Sequence, residues 1–390
     1  MRRALDRHRR RLLAGLGGAA LLAGPGLLRA RPPRAGLGPP DALGLRLPPA
    51  FSARVVARSG VEPVPGCGYP WHAAPDGGGC FAGADGGWIY VSNCELKAPA
   101  GGVGALRFDA SGAPVDAYPL LRGSARNCAG AVTPWGTWLS CEEVPDGRVW
   151  ECDPHGREAA RPRDALGRFA HEGAAVDPAT ATVYLTEDVS DGALYRFRPA
   201  ARDAGGRADL ERGVLEVALA VPGQAALAWR ALPDPAGTTA PTRHQLPGTA
   251  RFAGGEGVAW LDGTLYFSTK GDDRVWAYRP DSGRLRVLYD GRAEPRGELR
   301  GVDNLAVTPW GGLAVAEDGD DMQLVALELD GTTWPLLQLL GHARSELAGP
   351  AFSPDGRRLY LSAQRGADGD PRHGFTVEVS GPFAGGPVRG

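Results

Sequence analysis

The sequence predicts an all-β protein, a six-bladed β-propeller, on three observations. First, one pattern recurs along the chain: a polar residue, a tight turn, and a strand that ends in charged groups. It is clearest in RNCAGAVTPWGTWLSCEE from Arg126 to Glu143. It returns as AHEGAAVDPATATVYLTED from Ala170, GGEGVAWLDGTLYFSTKGD from Gly254 and GVDNLAVTPWGGLAVAEDGD from Gly301, with weaker copies from Tyr69 and Ala348. Second, Glu95, Glu143, Glu187, Lys270, Glu317 and Gln364 fall near one equivalent position, at intervals of 48, 44, 83, 47 and 47 residues. A period of about 40–50 residues built from short strands and glycine turns is that of propeller blades. Third, the long interval accommodates one insertion, so five intervals delimit six units.

The elements follow in order. Six arginines between Arg2 and Arg11 precede the apolar run Leu12–Leu28. With Arg10-Arg11 ahead of Leu12-Leu13, residues 1–30 read as a twin-arginine export signal that places the protein in the periplasm or outside the cell. The run holds 17 residues broken by glycine, short of the ~20 that span a bilayer, and no stable membrane association is expected. Residues 31–50 are rich in Pro, Gly and Arg and are expected to form a flexible leader.

The propeller occupies residues 51–390. Phe51–Arg58 alternates as a strand and is expected to pair with Phe375–Val379, closing the ring and removing its open sheet edges. Residues 199–250 form the insertion, expected to add an outer strand, Val214–Val221, and a surface loop able to cover the channel. Six cysteines in an exported chain allow disulfides; Cys141 and Cys152, on two arms of one hairpin, could pair or be packed thiols. The net charge of −2 offers no basic footprint for nucleic acid.

Circular symmetry turns this periodicity into chemistry. Aligned on their turns, the repeats place Cys128, Glu172, Glu256 and Asp303 in one ring around the channel, with Glu143 and Glu317 near a second. Several carboxylates and a thiolate in one cleft cannot all ionise without cations to offset them, so a polynuclear metal site is expected. His171, beside Glu172, is placed to support it from behind. Only two Lys and three Asn occur in the chain, and all five lie in or beside the repeats.

The segments RNCAGAVTPWGTWLSCEE, GRFAHEGAAVDP, GGEGVAWLDGTLYFSTKGDDRVWAY and DNLAVTPWG resemble those of the PhoX family of alkaline phosphatases, from about Phe51 to Phe383. The resemblance implies an exported six-bladed propeller that binds ferric iron (Fe3+) and calcium at the channel mouth and hydrolyses small phosphate monoesters. It also implies residue roles: Cys128 as an iron ligand, Glu172 and Glu256 in the acidic ligand motifs, Lys270 and Arg300 as a phosphate-contacting pair, and Asn93 as a further donor. A thiolate is a poor calcium ligand, which favours iron beside Cys128, whereas calcium suits the remaining carboxylates.

Two departures stand out. Where larger members read R-P-E, this chain reads Arg300-Gly301-Val302, so one carboxylate is absent unless Asp303 substitutes. Their N-H-E is here Asn93-Cys94-Glu95. Two other readings stay open: a calcium-dependent lactonase-like hydrolase, in which Asn304 and Glu172 hold calcium and Cys128 is incidental, and a non-enzymic binding propeller. The channel site needs no second subunit, and a monomer is expected.

Overall fold

Six antiparallel sheets of four or five strands make up the protein, here described from a computed structural model over residues 32, 34–293, 298–319 and 321–383. The expected export signal lies outside the described residues. Among these, helix is confined to four short 3-10 turns, and no helix is long and apolar enough to cross a membrane.

The strands nearest the axis are Pro75–Ala82, Asn127–Val132, His171–Val176, Gly255–Leu261, Val302–Val307 and Leu347–Phe352, one for each of blades one to six. Each packs against the inner strands of both neighbouring blades. Ser52–Arg58 pairs antiparallel with Phe375–Ser380, so the two ends of the chain complete blade six. That is the closure expected from the alternation of Phe51–Arg58.

Two segments differ from the sequence reading. Inside the expected flexible leader, Leu45–Arg46 pairs with Leu339 and Gln338 as a fifth strand on blade five. The buried Leu45 side chain joins the core between blades five and six, and this apolar burial orders the segment despite its Pro/Gly-rich surroundings. The insertion supplies two strands, Gly213–Ala220 and Leu227–Ala231, both on the outer edge of blade three. Its following segment folds back on that blade: Arg243 bridges Glu187 and Asp191, and Tyr195 and Thr242 share a hydrogen bond.

The core is divided into six apolar clusters, one at each interface between successive blades. This follows from strand alternation: each sheet is buried on both faces, so both sets of side chains are apolar. All six cysteines are free. Cys141 pairs in register with Val149, and Cys152 with Trp138, so the two thiols sit at opposite ends of their hairpin.

The Pro-Trp-Gly turns at residues 134–136 and 309–311 lie at the far end of the inner strands from the charged groups. Each is closed by a threonine, Thr133 or Thr308, whose hydroxyl accepts from the amide of the fourth residue on. All six inner strands line an apolar funnel of about 570 Å³ at that end. The channel is therefore apolar at one mouth and charged at the other.

Candidate metal centre

One main-chain geometry, repeated six times, builds the charged mouth. The amides of Glu95, Glu143, Asp188, Lys270, Asp318 and Gln364 donate to the carbonyls of Ala74, Arg126, Ala170, Gly254, Gly301 and Glu346, respectively. In blades one to five the inner strand breaks register in a β-bulge two residues after that carbonyl, whereas in blade six Ala348 at this position still pairs with Ser362 and the break follows it. A bulge re-aims a side chain out of the ladder. The residues at this position are Asp76, Cys128, Glu172, Glu256, Asp303 and Ala348, so five of six blades turn a thiol or carboxyl into the channel.

Close approach of adjacent inner strands makes this possible. A Cβ on Gly257 would overlap the backbone nitrogen of Leu305, and one on Gly349 the carbonyl of Asp76.

The predicted ring is thereby assembled. Cys128 Sγ lies 3.0 Å from Glu172 Oε1 and 3.8 Å from Asp76 Oδ1. Ligand atoms of Cys128, Glu143 and Glu172 fall within 4.8 Å of one another, as do those of Glu172, Glu256 and Asp303. Two further groups share the mouth: Asp76, Glu95 and Glu346, and Asp303, Asp318 and Glu346. Three cationic side chains face these acids. Lys270 Nζ is 3.2 Å from Glu256 and 3.1 Å from Asp318, Arg126 is 3.4 Å from Glu95, and Arg365 is 3.3 Å from Glu346.

The electrostatics are those of an overcrowded acid cluster. Burial, then the neighbouring negative charges, drive Asp76, Cys128 and Glu172 well above their usual pKa values. Glu143 rises to about 8 through burial, then Glu95 and Asp188, against the pull of Arg126 and Lys270. Asp303 rises to about 6, burial outweighing Lys270. Burial alone would lower Lys270, but Asp303, Glu256 and Asp318 push it up.

The donor set fits metal cations. Carboxylates and one thiol within bonding reach of shared points are the ligand chemistry of hard and borderline metals. Gln364 adds an orphan: it is 1% exposed, its Nε2 donates to Asp76 and Glu95 at 2.5 and 2.8 Å, and its buried Oε1 has no hydrogen-bond partner.

Four expected site roles are not met by the geometry. Asn93 is fully buried, with both amide hydrogens donated to the carbonyls of Cys128 and Ala129 and its oxygen accepting from Trp138 and Ser140. It has no group left for a substrate and instead pins the bulge that carries Cys128. Arg300 is exposed and lines a groove with Arg46, Asp321 and Gln338, on the outer side of blade five; only its amide is used inward, donating to Glu317.

Glu317 is spent on the backbone, accepting from the amides of Arg300 and Gln323. Its structural counterpart is Glu142, which accepts from Ala125 and Arg148. Asp318, the next residue, is the one that faces the channel, as Asp188 does beside Glu187. Strand alternation explains the error: a shift of one residue moves a side chain to the opposite face. His171 lies against Phe169 at 3.6 Å between ring centroids, the rings tilted by 32°, and its pKa is lowered to about 3 by burial. It points into the blade core rather than behind Glu172.

Asp76, Glu346, Arg126 and Arg365 were not singled out from sequence. Asp76-Gly77 does share the acid-glycine pair of Glu172-Gly173 and Glu256-Gly257, a signal that could have found it. The amide of Asn304, which a lactonase-like site would turn to a cation, is engaged with Asp303 and with the backbone of Gly349.

Comparison with known proteins agrees with this architecture. The sequence matches the family model for alkaline phosphatase PhoX over residues 89–150 and 146–366. The fold is similar to that of Pseudomonas fluorescens PhoX in complex with vanadate, a transition state analogue, with a TM-score of 0.73 and 17% identity over 90% of this chain and 98% of that one. It is also similar to a Bacteroides thetaiotaomicron protein of unknown function, with a TM-score of 0.51 and 11% identity over 85% and 76% of the two chains. No curated protein matches the sequence. With most of its length covered by that family model, the chain belongs to the alkaline phosphatase PhoX family.

Proposed function

We propose that this phosphatase-family propeller is an exported, metal-dependent phosphomonoesterase, with iron held at the Cys128 end of the cluster and calcium at its all-oxygen end. The observation that carries the reading is the placement of Cys128 Sγ 3.0 Å from Glu172, inside a ring of carboxyls drawn from every blade. Cys128, Glu172 and Glu143 would hold the thiolate-compatible metal. Glu256, Asp303, Asp318, Asp76, Glu95 and Glu346 offer oxygen ligands for harder cations. When bound, such cations supply the Lewis acidity that draws charge from a phosphoryl group.

The chain's own residues do the rest. Phosphoryl transfer is chiefly a matter of positioning and of neutralising charge on non-bridging oxygens. Lys270, about one-third exposed beside Glu256 and Asp318, presents its ammonium to the channel mouth and binds one such oxygen. The bulges fix the ligand side chains, and Asn93 and Thr186 fix the bulges, since Thr186 Oγ1 donates to Glu256 O at 2.6 Å. The missing R-P-E carboxylate is not replaced in place: Val302 is buried in the core between blades four and five. Asp303, within reach of two ligand groups, supplies a carboxylate one residue on.

The test is to express the mature chain with iron and calcium, measure both by elemental analysis, and assay a chromogenic phosphomonoester. Bound metal with turnover in wild type, and loss of iron and activity in Cys128→Ala, are expected. Metal without turnover overturns the phosphomonoesterase assignment, and absence of metal overturns the site as well. Secretion of the full chain that persists when Arg10 and Arg11 are both replaced by Lys would overturn the twin-arginine route.

A further inference from the structure

With Arg300 on the outer side of blade five, a phosphate group at the mouth needs a second cation from elsewhere. We propose that Arg126 is that group, a substrate-binding residue that takes a phosphoryl oxygen opposite Lys270; the assignment rests on the phosphomonoesterase reading above.

The first observation is conformational. Arg126 has φ +41°, in the left-handed region, which is disfavoured for any residue with a side chain. At the same place in the repeat, Ala74, Gly254 and Gly301 also have positive φ, at +45°, +66° and +58°. In these four blades the turn takes a left-handed residue, and in the other three that residue is Ala or Gly. Blade two carries a long cationic side chain there, and its main chain is held on both sides: the amide donates to Leu96 O and the carbonyl accepts from Glu143 N. Strained residues of this kind collect where a side chain must be aimed.

The second observation is what the side chain touches. Its guanidinium reaches Glu95 at 3.4 Å and Glu143 at 3.9 Å, both through Nη1. Nε and Nη2 make no hydrogen bond among the described residues, and the side chain is 38% exposed. Arginine binds phosphate through a planar fork of two donors, and this fork is the part left open to solvent. Arg126 and Lys270 both act on Glu143. They come from blades two and four, on either side of blade three, which carries Glu172. Arg365 is a weaker candidate, since it is committed to Glu346 at 3.3 Å and is more deeply set.

The experiment compares the metal-loaded wild type with Arg126→Gly and Arg126→Lys. Glycine removes the cation and relieves the backbone, so folding is not compromised. Inhibition by inorganic phosphate, KM and kcat for p-nitrophenyl phosphate, metal content and melting temperature are measured. Loss of one charge-assisted contact should raise KM and the phosphate inhibition constant about 10- to 100-fold in Arg126→Gly, with metal content and melting temperature unchanged. Added guanidinium ion should restore part of the loss in Arg126→Gly, and Arg126→Lys should fall between. Unchanged phosphate inhibition in Arg126→Gly overturns the proposal while leaving the phosphatase reading intact. Loss of metal together with a lower melting temperature also overturns it, since Arg126 would then be a counter-ion of the cluster. A wild type that neither binds phosphate nor turns over the ester overturns both.

Discussion

Replacing Asn93 by alanine separates a structural role from a substrate-binding one. The side chain makes four hydrogen bonds, each 2.9 Å long: to the carbonyls of Cys128 and Ala129, and from Trp138 Nε1 and Ser140 Oγ. A neutral buried hydrogen bond contributes about 1 kcal/mol net, and more when its partner is left unpaired. Ser140 keeps a partner in Asn127 Nδ2, but the buried Trp138 indole loses the acceptor that it has here. Four bonds, with this one orphan among them, sum to about 4 kcal/mol.

At roughly 2 °C per kcal/mol for a chain of this size, Asn93→Ala should melt about 8 °C below wild type in a calorimetric scan. Iron content should fall with it, because the bulge that aims Cys128 is no longer pinned. Asn93→Asp, which keeps the shape but sets a carboxylate against two carbonyl oxygens, should cost at least as much. A variant that melts within about 2 °C of wild type and changes only its affinity for phosphate would refute this reasoning and return Asn93 to the substrate.

The remaining predictions concern the cluster and its frame. Glu143 and Asp303 titrate at about 8 and about 6 in the folded protein, above their ordinary values of 4.5 and 3.8. The folded state therefore binds these protons more tightly than the unfolded state. This contribution is complete below about pH 4 and is lost as pH rises towards 8. Chelated protein should melt lower at pH 8 than at pH 5, and calcium should raise melting more at pH 8; equal or greater apo stability at pH 8 would contradict the acid-cluster account. Glu317→Gln should leave metal content unchanged and lower stability by about 1–2 kcal/mol, one backbone amide losing its acceptor; elemental analysis beside a melt decides it. Gly257→Ala should destabilise by about 1–3 kcal/mol by forcing blade four away from Leu305, measured by urea unfolding.

Much of the candidate metal centre was legible because a propeller converts sequence period into spatial position. Cys128, Glu172, Glu256 and Asp303 stand at matched offsets from matched turns, and the ring closure needed only that the blades be counted. What escaped did so for definite reasons. Asp76 lies 19 residues before Glu95, whereas Cys128 precedes Glu143 by 15 and Glu256 precedes Lys270 by 14. The first hairpin is longer, and alignment on the second strand passes over Asp76. Glu346 occupies the place held by Arg126 in blade two, a position where the repeat carries no consistent chemistry.

The sequence by itself determined the blade count, the pairing of the chain's two ends, the family, and the gathering of a thiol and several acids at one mouth. It could not decide between the paired acids Glu187-Asp188 and Glu317-Asp318, because adjacent residues on a strand face opposite ways and both members of each pair are acidic. Nor could it show that Asn93 is saturated by hydrogen bonds or that the Arg300 side chain lies in a groove away from the acid cluster. Those outcomes depend on six β-bulges and on contacts between blades, interactions across long stretches of chain that local pattern does not encode.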